Sequence, residues 1–305
     1  MDPLSDVLSL LNARGVLSAR LIAGGDWCIQ SPAYEGVRFG ALLRGRCQLA
    51  LDDSAQTINL QAGDGYLLTD GRPYRIGSDL ALPAVSMRDV LEQVVDGVAY
   101  CGNRPDVQLL GGRFHLEGSN ARYLLDDLPP VIHVPGGSDE ATVQRWVLER
   151  ISIELATKQA GLSAMVDNLA HIMVVQMLRD YLTAGRHHVG WLAALNDDKL
   201  GRVLTKMHES PMRHWSVDEL ASLASMSRSA FASRFSNLVG TSPLNYLIRW
   251  RMRLAARALV QSTASVSAIA YAHGYESESA FSNAFKRVMG SAPRAYRIHA
   301  SKTSA

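Results

Sequence analysis

The spacing of apolar residues divides the chain into a strand-like part and a helix-like part. From residue 16 to about 134, short alternating apolar runs such as INLQAGDGYLL and RPYRIGS are separated by Gly, Pro and Asp, which is typical of a small β-barrel or sandwich. From 138 to 184, and again from 199 onward, apolar residues recur at helical spacing. The pattern predicts an α+β protein, with a β-barrel followed by helices in residues 1–190 and an all-α domain in residues 199–300.

The all-α part contains an internal repeat. The segment SVDELASLASMSRSAFASRFSNLVGTSP at 216–243 aligns with SVSAIAYAHGYESESAFSNAFKRVMGSAP at 265–293. Matches at the start of the segments, such as Val217 with Val266, have an offset of 49 residues, and those after the central turn have an offset of 50. The second copy therefore carries one extra residue in its turn. Such self-similarity indicates a duplicated supersecondary unit.

Each copy has the pattern of two helices joined by a tight turn. A serine, Ser216 or Ser265, is placed to cap the first helix. In the second helix, two phenylalanines four residues apart mark a buried face, and short polar side chains lie opposite. These phenylalanines are Phe231 and Phe235 in the first copy, and Phe281 and Phe285 in the second. The pattern predicts two helix-turn-helix units, with the second helix of each available to DNA.

A connecting helix is predicted between the two units, from Leu244 to Val260. Arg249, Arg253 and Arg257 recur along it every four residues and form a stripe. The stripe is either a solvated helix face or a set of phosphate-binding groups. Its position between two helix-turn-helix units favours phosphate binding.

The formal charge of +2 conceals a strong division along the chain. From Lys199 to the end there are 15 Lys and Arg against 5 Asp and Glu, whereas the first 198 residues hold 16 against 24. A basic module joined to an acidic one indicates that the C-terminal part meets a polyanion.

The location of the protein is predicted from its cysteines and its apolar stretches. The three cysteines show no CxxC spacing, which favours a reducing compartment. The sequence shows no signal sequence and no apolar stretch of membrane-spanning length, so we expect a cytoplasmic protein.

The stretch from about Lys199 to His299 resembles the DNA-binding domain of the AraC/XylS family of transcription regulators. The resemblance is carried by MHESPMRHWSVDELA, SRSAFASRF, SPLNYLIRWRMRLA and GYESESAFSNAFKRVMGSAPRAYR. It implies seven helices. It also implies that two recognition helices enter successive major grooves on one face of double-stranded promoter DNA.

The same resemblance assigns candidate base contacts, and basic side chains of the connecting helix and of the second unit are candidate phosphate contacts. Base contacts choose the sequence, whereas phosphate contacts place the protein. The candidate base readers are Arg228, Ser229, Ser233, Glu278, Ser279, Ser282 and Asn283. The candidate phosphate contacts are Arg249, Arg253, Lys286 and Arg287. Asn283 can pair bidentately with adenine, whereas Glu278 can either accept from cytosine or favour the dipole of its own helix. We expect the second unit to contribute at least as much base discrimination as the first, whose candidates are mostly small.

The N-terminal part resembles the cupin-type sensor domain found in one branch of the same family. The matching segments are DPLSDVLSLLNARG, GDWCIQSPAYEGVRFGALLRG, LQAGDGYLLTDGRPYRI and LLGGRF…LLDDLPPVIHV. Enzymatic cupins usually bind a metal through a His-x-His pair, a Glu and a later His, but the corresponding RGRCQLAL contains no histidine. We therefore expect no metal, no other cofactor and no enzymatic activity.

The sequence leaves open what the barrel detects. One alternative is a small-molecule effector pocket, with candidate lining residues Trp27, Tyr34, Arg72, His115 and His133. The other is a redox signal through Cys28, Cys47 or Cys101, which requires an exposed thiol with a lowered pKa. Buried free cysteine is the commoner state.

The predicted helices between 142 and 181 carry an apolar stripe. Its members include Trp146, Ile153, Leu169, Ile172, Met173 and Leu178. Part of this stripe must cover the barrel, and the rest is either a homodimer surface or further intramolecular packing. A loop around 187–196 is expected to lead into the DNA-binding part.

These patterns predict a sequence-specific DNA-binding transcription regulator that responds to a small-molecule or redox signal through its N-terminal domain. A cupin enzyme fused to a DNA-binding tail is a rival, and bound metal would distinguish it. A non-specific architectural DNA binder is a second rival, which predicts equal affinity for all sequences. The sequence does not separate activation from repression, and RNA polymerase becomes a partner if the protein is an activator.

Overall fold

The computed structural model describes residues 2–10, 14–54, 56–115, 128–137, 141–183 and 190–303. These residues fall into two compact units. The β unit comprises the described residues between 14 and 183, and the helical unit comprises residues 2–10 and 190–303. All strands of the described residues lie in the β unit, and the predicted α+β class is confirmed.

The strands of the β unit form two sheets. They are β1 (Arg14–Gly24), β2 (Cys28–Ser31), β3 (Val37–Arg44), β4 (Arg46–Leu51), β5 (Ile58–Gln61), β6 (Gly65–Leu68), β7 (Tyr74–Gly77), β8 (Val85–Ser86), β9 (Val98–Gly102), β10 (Val107–His115) and β11 (Val131–Val134). The six-stranded sheet has the order β11-β6-β3-β10-β1-β9, and the five-stranded sheet has the order β5-β4-β7-β2-β8. Neighbouring strands are antiparallel except for the edge pairs β1–β9 and β2–β8.

The helices follow the chain in this order. They are α1 (Pro3–Leu10), α2 (Met87–Glu92), α3 (Thr142–Thr157), α4 (Leu162–Thr183), α5 (Trp191–Leu195), α6 (Leu200–Glu209), α7 (Val217–Leu223), α8 (Arg228–Val239), α9 (Pro243–Gln261), α10 (Val266–Ala272), α11 (Glu278–Met289) and α12 (Pro293–Thr303). The short helix α5 lies where the sequence predicted a loop at 187–196, so that prediction was wrong for residues 191–195.

Alternation along the strands gives the β unit a core that both sheets share. In β3, Arg38, Gly40 and Leu42 point to one face, because successive side chains of a strand alternate. Leu42 is fully buried in the same apolar cluster as Leu49 of β4 and Ile76 of β7, which belong to the other sheet. The interior of the β unit therefore lies between the two sheets, as in a sandwich.

The long helix α4 packs against β1, β6 and β11. The predicted apolar stripe of the 142–181 region divides into two sets. The buried members are Leu169, Met173 and Leu178. The exposed members are Trp146, Ile153 and Ile172, whose exposed fractions are 55%, 44% and 42%. The structure thus accounts for half of the stripe by packing within the β unit and leaves the other half on its surface.

The GDG sequence before β6 forms a compact corner. Asp64 is buried, and its carboxylate accepts a hydrogen bond from the backbone N–H of Gly136 (2.8 Å) and lies 2.9 Å from Nε2 of His133. Gly65 must lack a side chain, because a Cβ there would lie 2.1 Å from Cε of Met177 on α4. The corner ties β6 to β11 and lets α4 approach the sheet closely.

Helix α1 belongs to the helical unit, although it precedes β1 in the chain. It contacts α6 and α9, and Leu4, Val7 and Leu8 are buried. On the same helix, Oδ2 of Asp6 lies 3.3 Å from Nδ1 of the buried His208. The predicted domain boundaries stay predictions, and the contacts of α1 lie with helices of the helical unit.

The internal repeat is visible as two helix pairs, α7–α8 and α10–α11. The turn of the first pair spans residues 224–227 and that of the second spans 273–277, so the predicted extra residue is confirmed. Each turn contains one residue in the left-handed region, Ser225 with φ 52° in the first and Gly274 with φ 80° in the second. Helices α6 to α12 are the seven that the family resemblance implied.

The repeat extends one helix further than the sequence alignment indicated. Both α9 and α12 begin with proline and place a tyrosine three residues later. The ring of Tyr246 lies 5.9 Å from that of Phe235, and the ring of Tyr296 lies 5.5 Å from that of Phe285, both edge-on. The duplicated unit is therefore three helices, with the third packed on the phenylalanine face of the second.

Candidate nucleic-acid interface and effector pocket

Capping and packing fix the orientation of both recognition helices. At the start of α8, Oγ of Ser227 accepts a hydrogen bond from the backbone N–H of Ala230 (3.4 Å), and Ser277 does the same for Ala280 at the start of α11 (3.2 Å). The paired phenylalanines predicted as core are fully buried in both helices. With one face held in the core, the opposite face of each helix must point outward.

The first recognition helix presents a small polar surface. Arg228, Ser229 and Ser233 are all exposed on α8. The guanidinium of Arg228 lies 2.9 Å from the carboxylate of Asp218, and both side chains are more than 60% exposed. An exposed ion pair of this kind contributes about 0–1 kcal/mol, so Arg228 can exchange its partner for a DNA group at little cost.

The second recognition helix presents longer polar groups. Ser279 and Asn283 are exposed on α11, and Ser282 and Glu278 are half-buried. The carboxylate of Glu278 lies 3.4 Å from the guanidinium of Arg294, a residue of α12. That contact gives Glu278 a third role, intramolecular pairing, beside the two that the sequence left open.

The candidate phosphate contacts differ in exposure. Lys286 and Arg287 are exposed on α11, as is Arg249 on α9. Arg253 and Arg257 of the predicted stripe are half-buried. The connecting helix itself is confirmed, but its arginines do not form one uniform exposed face.

Two further arginines of the helical unit donate hydrogen bonds to backbone carbonyl groups of other segments. Arg251 on α9 donates to the backbone carbonyls of Pro211 (2.6 Å) and Arg213 (2.7 Å), just before the first helix-turn-helix pair. Arg297 on α12 donates to the carbonyls of Leu259 (2.9 Å) and Ala264 (2.6 Å), just before the second. These side chains contribute to the basic charge of the unit while their donors are used internally.

The predicted effector residues are not gathered at one place. Trp27 is buried in the core of the β unit, and Arg72 pairs with Asp53 and Asp70 on the surface. His133 contacts Asp64 in the GDG corner. The side chain of His115 lies outside the described residues.

The β unit contains a cavity of about 130 Å³ between its sheets. Of the predicted effector residues with a described side chain, none lines it directly, although Tyr34 lies beside it through contacts with Tyr74 and Arg38. Arg38 and Arg113 do line it, and neither was predicted. The alternation of β3 was the available signal, since it places Arg38 on the core face with Leu42.

The cysteine thiols lie in environments that oppose ionisation. Cys28 and Cys47 are buried. Burial raises the pKa of Cys47 to about 12, with a smaller contribution from the charge of Asp64. Burial also raises the pKa of Cys28 and of the half-buried Cys101. Thiolate, the reactive form, is therefore disfavoured at all three positions.

No three His, Cys, Asp or Glu side chains come together in a metal-binding arrangement within the described ranges. The same part of the chain has no helix with the length and apolar character needed to cross a bilayer.

Comparisons with known proteins extend over nearly the whole chain. A cupin family model matches residues 2–183, and a helix-turn-helix domain model matches residues 220–298. A protein of Streptomyces lividans described as a putative AraC-like transcription regulator is 44% identical over 300 residues, covering 98% of this chain and 99% of that protein. A protein of Streptomyces antibioticus with the same description is 43% identical over the same shares.

Among solved structures, the DNA-binding domain of the global transcriptional factor AdpA, in complex with a target DNA, is 38% identical to the matching part. The match covers 34% of this chain and 93% of that domain, with a TM-score of 0.32.

Proposed function

This chain belongs to the AraC family of transcription regulators, and from that premise we propose that it is a one-component regulator whose β unit detects a small molecule and whose helical unit binds a promoter. One observation supports this most directly: a single chain joins two helix-turn-helix units with outward polar faces to a β unit with an internal cavity. A ligand that changes the affinity of the chain for DNA by a given factor has its own affinity changed by DNA by the same factor.

A small molecule is favoured over a redox signal because of the state of the cysteines. A redox sensor needs an accessible thiolate, and the pKa of each thiol is raised by burial. A variant with Cys28→Ala, Cys47→Ala and Cys101→Ala is expected to keep its response to the effector. Loss of the response in a folded variant would favour the redox alternative.

We also propose that the exposed apolar face of α3 and α4 is a homodimer surface. Trp146 and Ile153 are seven residues apart on α3, and Ile172 lies on α4. A symmetric pair of chains would match paired DNA sites. Analytical ultracentrifugation should show a dimer that Trp146→Lys with Ile153→Lys converts to monomer, and an unchanged mass would contradict this surface.

Selection of bound fragments from genomic DNA, with and without candidate effectors, tests the central proposal. At fixed salt, the preferred fragment should bind at least about a thousandfold more tightly than random DNA. Equal affinity for all fragments would instead support an architectural DNA binder. Transcription from the selected promoter in vitro would then show whether the protein activates, and thus engages RNA polymerase, or represses.

A further inference from the structure

Two arginines face the apolar cavity of the β unit. The apolar side chains that line this cavity include Leu21, Ile29, Ile76, Val90, Ala99 and Leu109. Arg38 of β3 and Arg113 of β10 line it as well. Arg38 is half-buried and Arg113 is exposed, so the charged part of the cavity lies toward solvent. A cavity with these two kinds of lining suits a molecule with a polar end and an apolar end.

The register of the sheet places the two arginines side by side. Arg38 and Arg113 are directly opposite each other in the antiparallel β3–β10 pair. Opposite residues share a face, and their Cβ atoms are roughly 4.5–5.5 Å apart. Gly111 lies on the same face two residues from Arg113, and a Cβ there would meet nothing closer than 3.8 Å. The space next to the arginine pair is therefore open.

The arginine pair lacks a neutralising group in the described part of the chain. Like charges directly opposite in a sheet are destabilising. No carboxylate of the described residues forms an ion pair with Arg38 or Arg113. Arg38 is instead positioned by aromatic rings, with Cζ 4.7 Å from the ring centre of Tyr34 and 6.0 Å from that of Tyr74. Contact with ring faces leaves the N–H groups of the guanidinium available to an acceptor.

The hydroxyl of Tyr34 adds a polar group beside Arg38. Its oxygen is buried and has no hydrogen-bond partner among the described residues. Burial, reinforced by Tyr74 and Asp70, raises the pKa of Tyr34 well above its ordinary value. The hydroxyl therefore stays protonated near pH 7 and keeps a proton that it can donate.

We propose that the cavity binds a small organic oxyanion, whose charged group contacts Arg38 and Arg113 and whose compact apolar body lies between the two sheets. The proposal rests on the proposed function, because such a molecule would be the effector of the β unit. An oxyanion would cancel the repulsion between the two guanidinium groups, whose fork geometry matches the oxygens of a carboxylate. The apolar lining would gain contacts from the body of the ligand.

The size of the cavity limits the ligand. An engineered protein cavity of about 150 Å³ holds benzene. The cavity of about 130 Å³ therefore admits a single ring or a short branched chain. Cyclohexanecarboxylate has these properties and serves as the probe.

Titration calorimetry with the full chain tests the charge preference. Cyclohexanecarboxylate should bind at least about tenfold more tightly than the neutral cyclohexanecarboxamide, since hydrogen bonds to charged groups are the stronger ones. Cyclohexanesulfonate shows whether the site accepts any oxyanion or requires a planar carboxylate. Equal affinity for acid and amide, or no binding of either anion, would overturn the proposal.

Four variants test the assignment to residues. Arg38→Gln and Arg113→Gln should each lower the affinity for the carboxylate about tenfold or more and leave that for the amide unchanged, which also reports that the cavity is intact. Gly111→Val should lower both affinities, because its side chain enters the cavity. Arg46→Gln, at an exposed position of β4, is the matched control and should change neither. An unchanged carboxylate affinity in Arg38→Gln would contradict the assignment.

Binding of the probe and its effect on DNA are measured separately. If the probe binds through the arginines and promoter affinity does not change, the oxyanion site stands and its role as the effector site fails. If promoter affinity responds to a neutral molecule and neither anion binds, the proposed function stands and the oxyanion site fails.

Discussion

At the residue scale, the arginines of the helical unit differ in what their guanidinium groups contact. Arg249 is exposed on α9, whereas Arg251, two residues later, is half-buried and bonded to two backbone carbonyls. Burial lowers the pKa of Arg251, which still stays protonated near neutral pH. Neighbouring positions of one helix thus provide a group available to DNA and a group that stabilises the fold.

Arg251→Ala should destabilise the helical unit. The change leaves two carbonyl groups without their charged donors, at a cost of roughly 1–3 kcal/mol. Urea unfolding measures the loss. Arg249→Ala is the matched control on the same helix and should change stability by less than about 0.5 kcal/mol. Equal losses in both variants would argue against this structural role of Arg251.

Asn283→Ala and Arg249→Ala should affect DNA binding in different ways. Asn283 is exposed on α11, and its loss should relax the preference at one base pair by about 1–3 kcal/mol with little change in salt dependence. Arg249→Ala should weaken binding to all sequences and reduce the slope of log K against log salt by about one. Fluorescence anisotropy over a salt series measures both, and identical behaviour would contradict the sorting into base and phosphate contacts.

At the scale of elements, capping decides where the helices of each repeat begin. Ser216 forms a capping box with Glu219, because each side chain bonds the backbone N–H of the other residue. Ser265 begins the equivalent helix α10 with a bond to the backbone N–H of Ala268, without the reciprocal glutamate. The two copies therefore share the cap and differ in its strength.

Ser216→Ala should cost about 1 kcal/mol of stability, the usual effect of removing an N-cap. Thermal unfolding of the helical unit, followed by helical circular dichroism, measures it. Ser222→Ala, an exposed serine inside α7, controls for the loss of a hydroxyl and should be close to neutral. A loss in Ser222→Ala as large as that in Ser216→Ala would show that the cap is not the cause.

The elements that the sequence predicted well are those with several turns of regular spacing. The paired phenylalanines and the connecting helix repeat a 3.6-residue period long enough to detect, and both are present. Helices α1 and α5 were not predicted, because eight and five residues are too few to establish a period and neither helix belongs to the internal repeat that revealed the seven-residue helices α7 and α10. Their helical state depends on packing within the helical unit rather than on local spacing.

At the scale of the whole molecule, strand register decides which side chains meet, and a single sequence does not specify it. The alternation of β3 offered a signal that Arg38 faces the core, although Arg38 was not among the predicted pocket residues, and its pairing with Arg113 joins residues 75 positions apart. Candidate pocket residues chosen by type, such as Trp27 and Arg72, lie in the core and on the surface instead. The DNA contacts, which stay predictions, require less long-range information, because helical spacing alone places their members on the faces of three helices, α8, α9 and α11.

Val7→Ala tests the attachment of α1 to the helical unit. Val7 is almost completely buried there, and truncating it should cost roughly 1–3 kcal/mol. Hydrogen exchange should show faster exchange at amides of α6 and α9, the helices that α1 contacts. Val85→Ala, at an exposed position of the β unit, should leave these amides unchanged. Unchanged exchange in Val7→Ala would contradict the packing of α1.

The position of α1 also sets an order of events during synthesis. Asp6 leaves the ribosome about 200 residues before His208, the residue it contacts. At 5–20 residues per second, the wait is roughly 10–40 s. The apolar face of α1 has no final partner during that interval, in which the whole of the β unit is synthesised. Folding of the helical unit is therefore completed only after its last helices are translated. Helix α1, the first helix to be synthesised, is among the last to reach its final contacts.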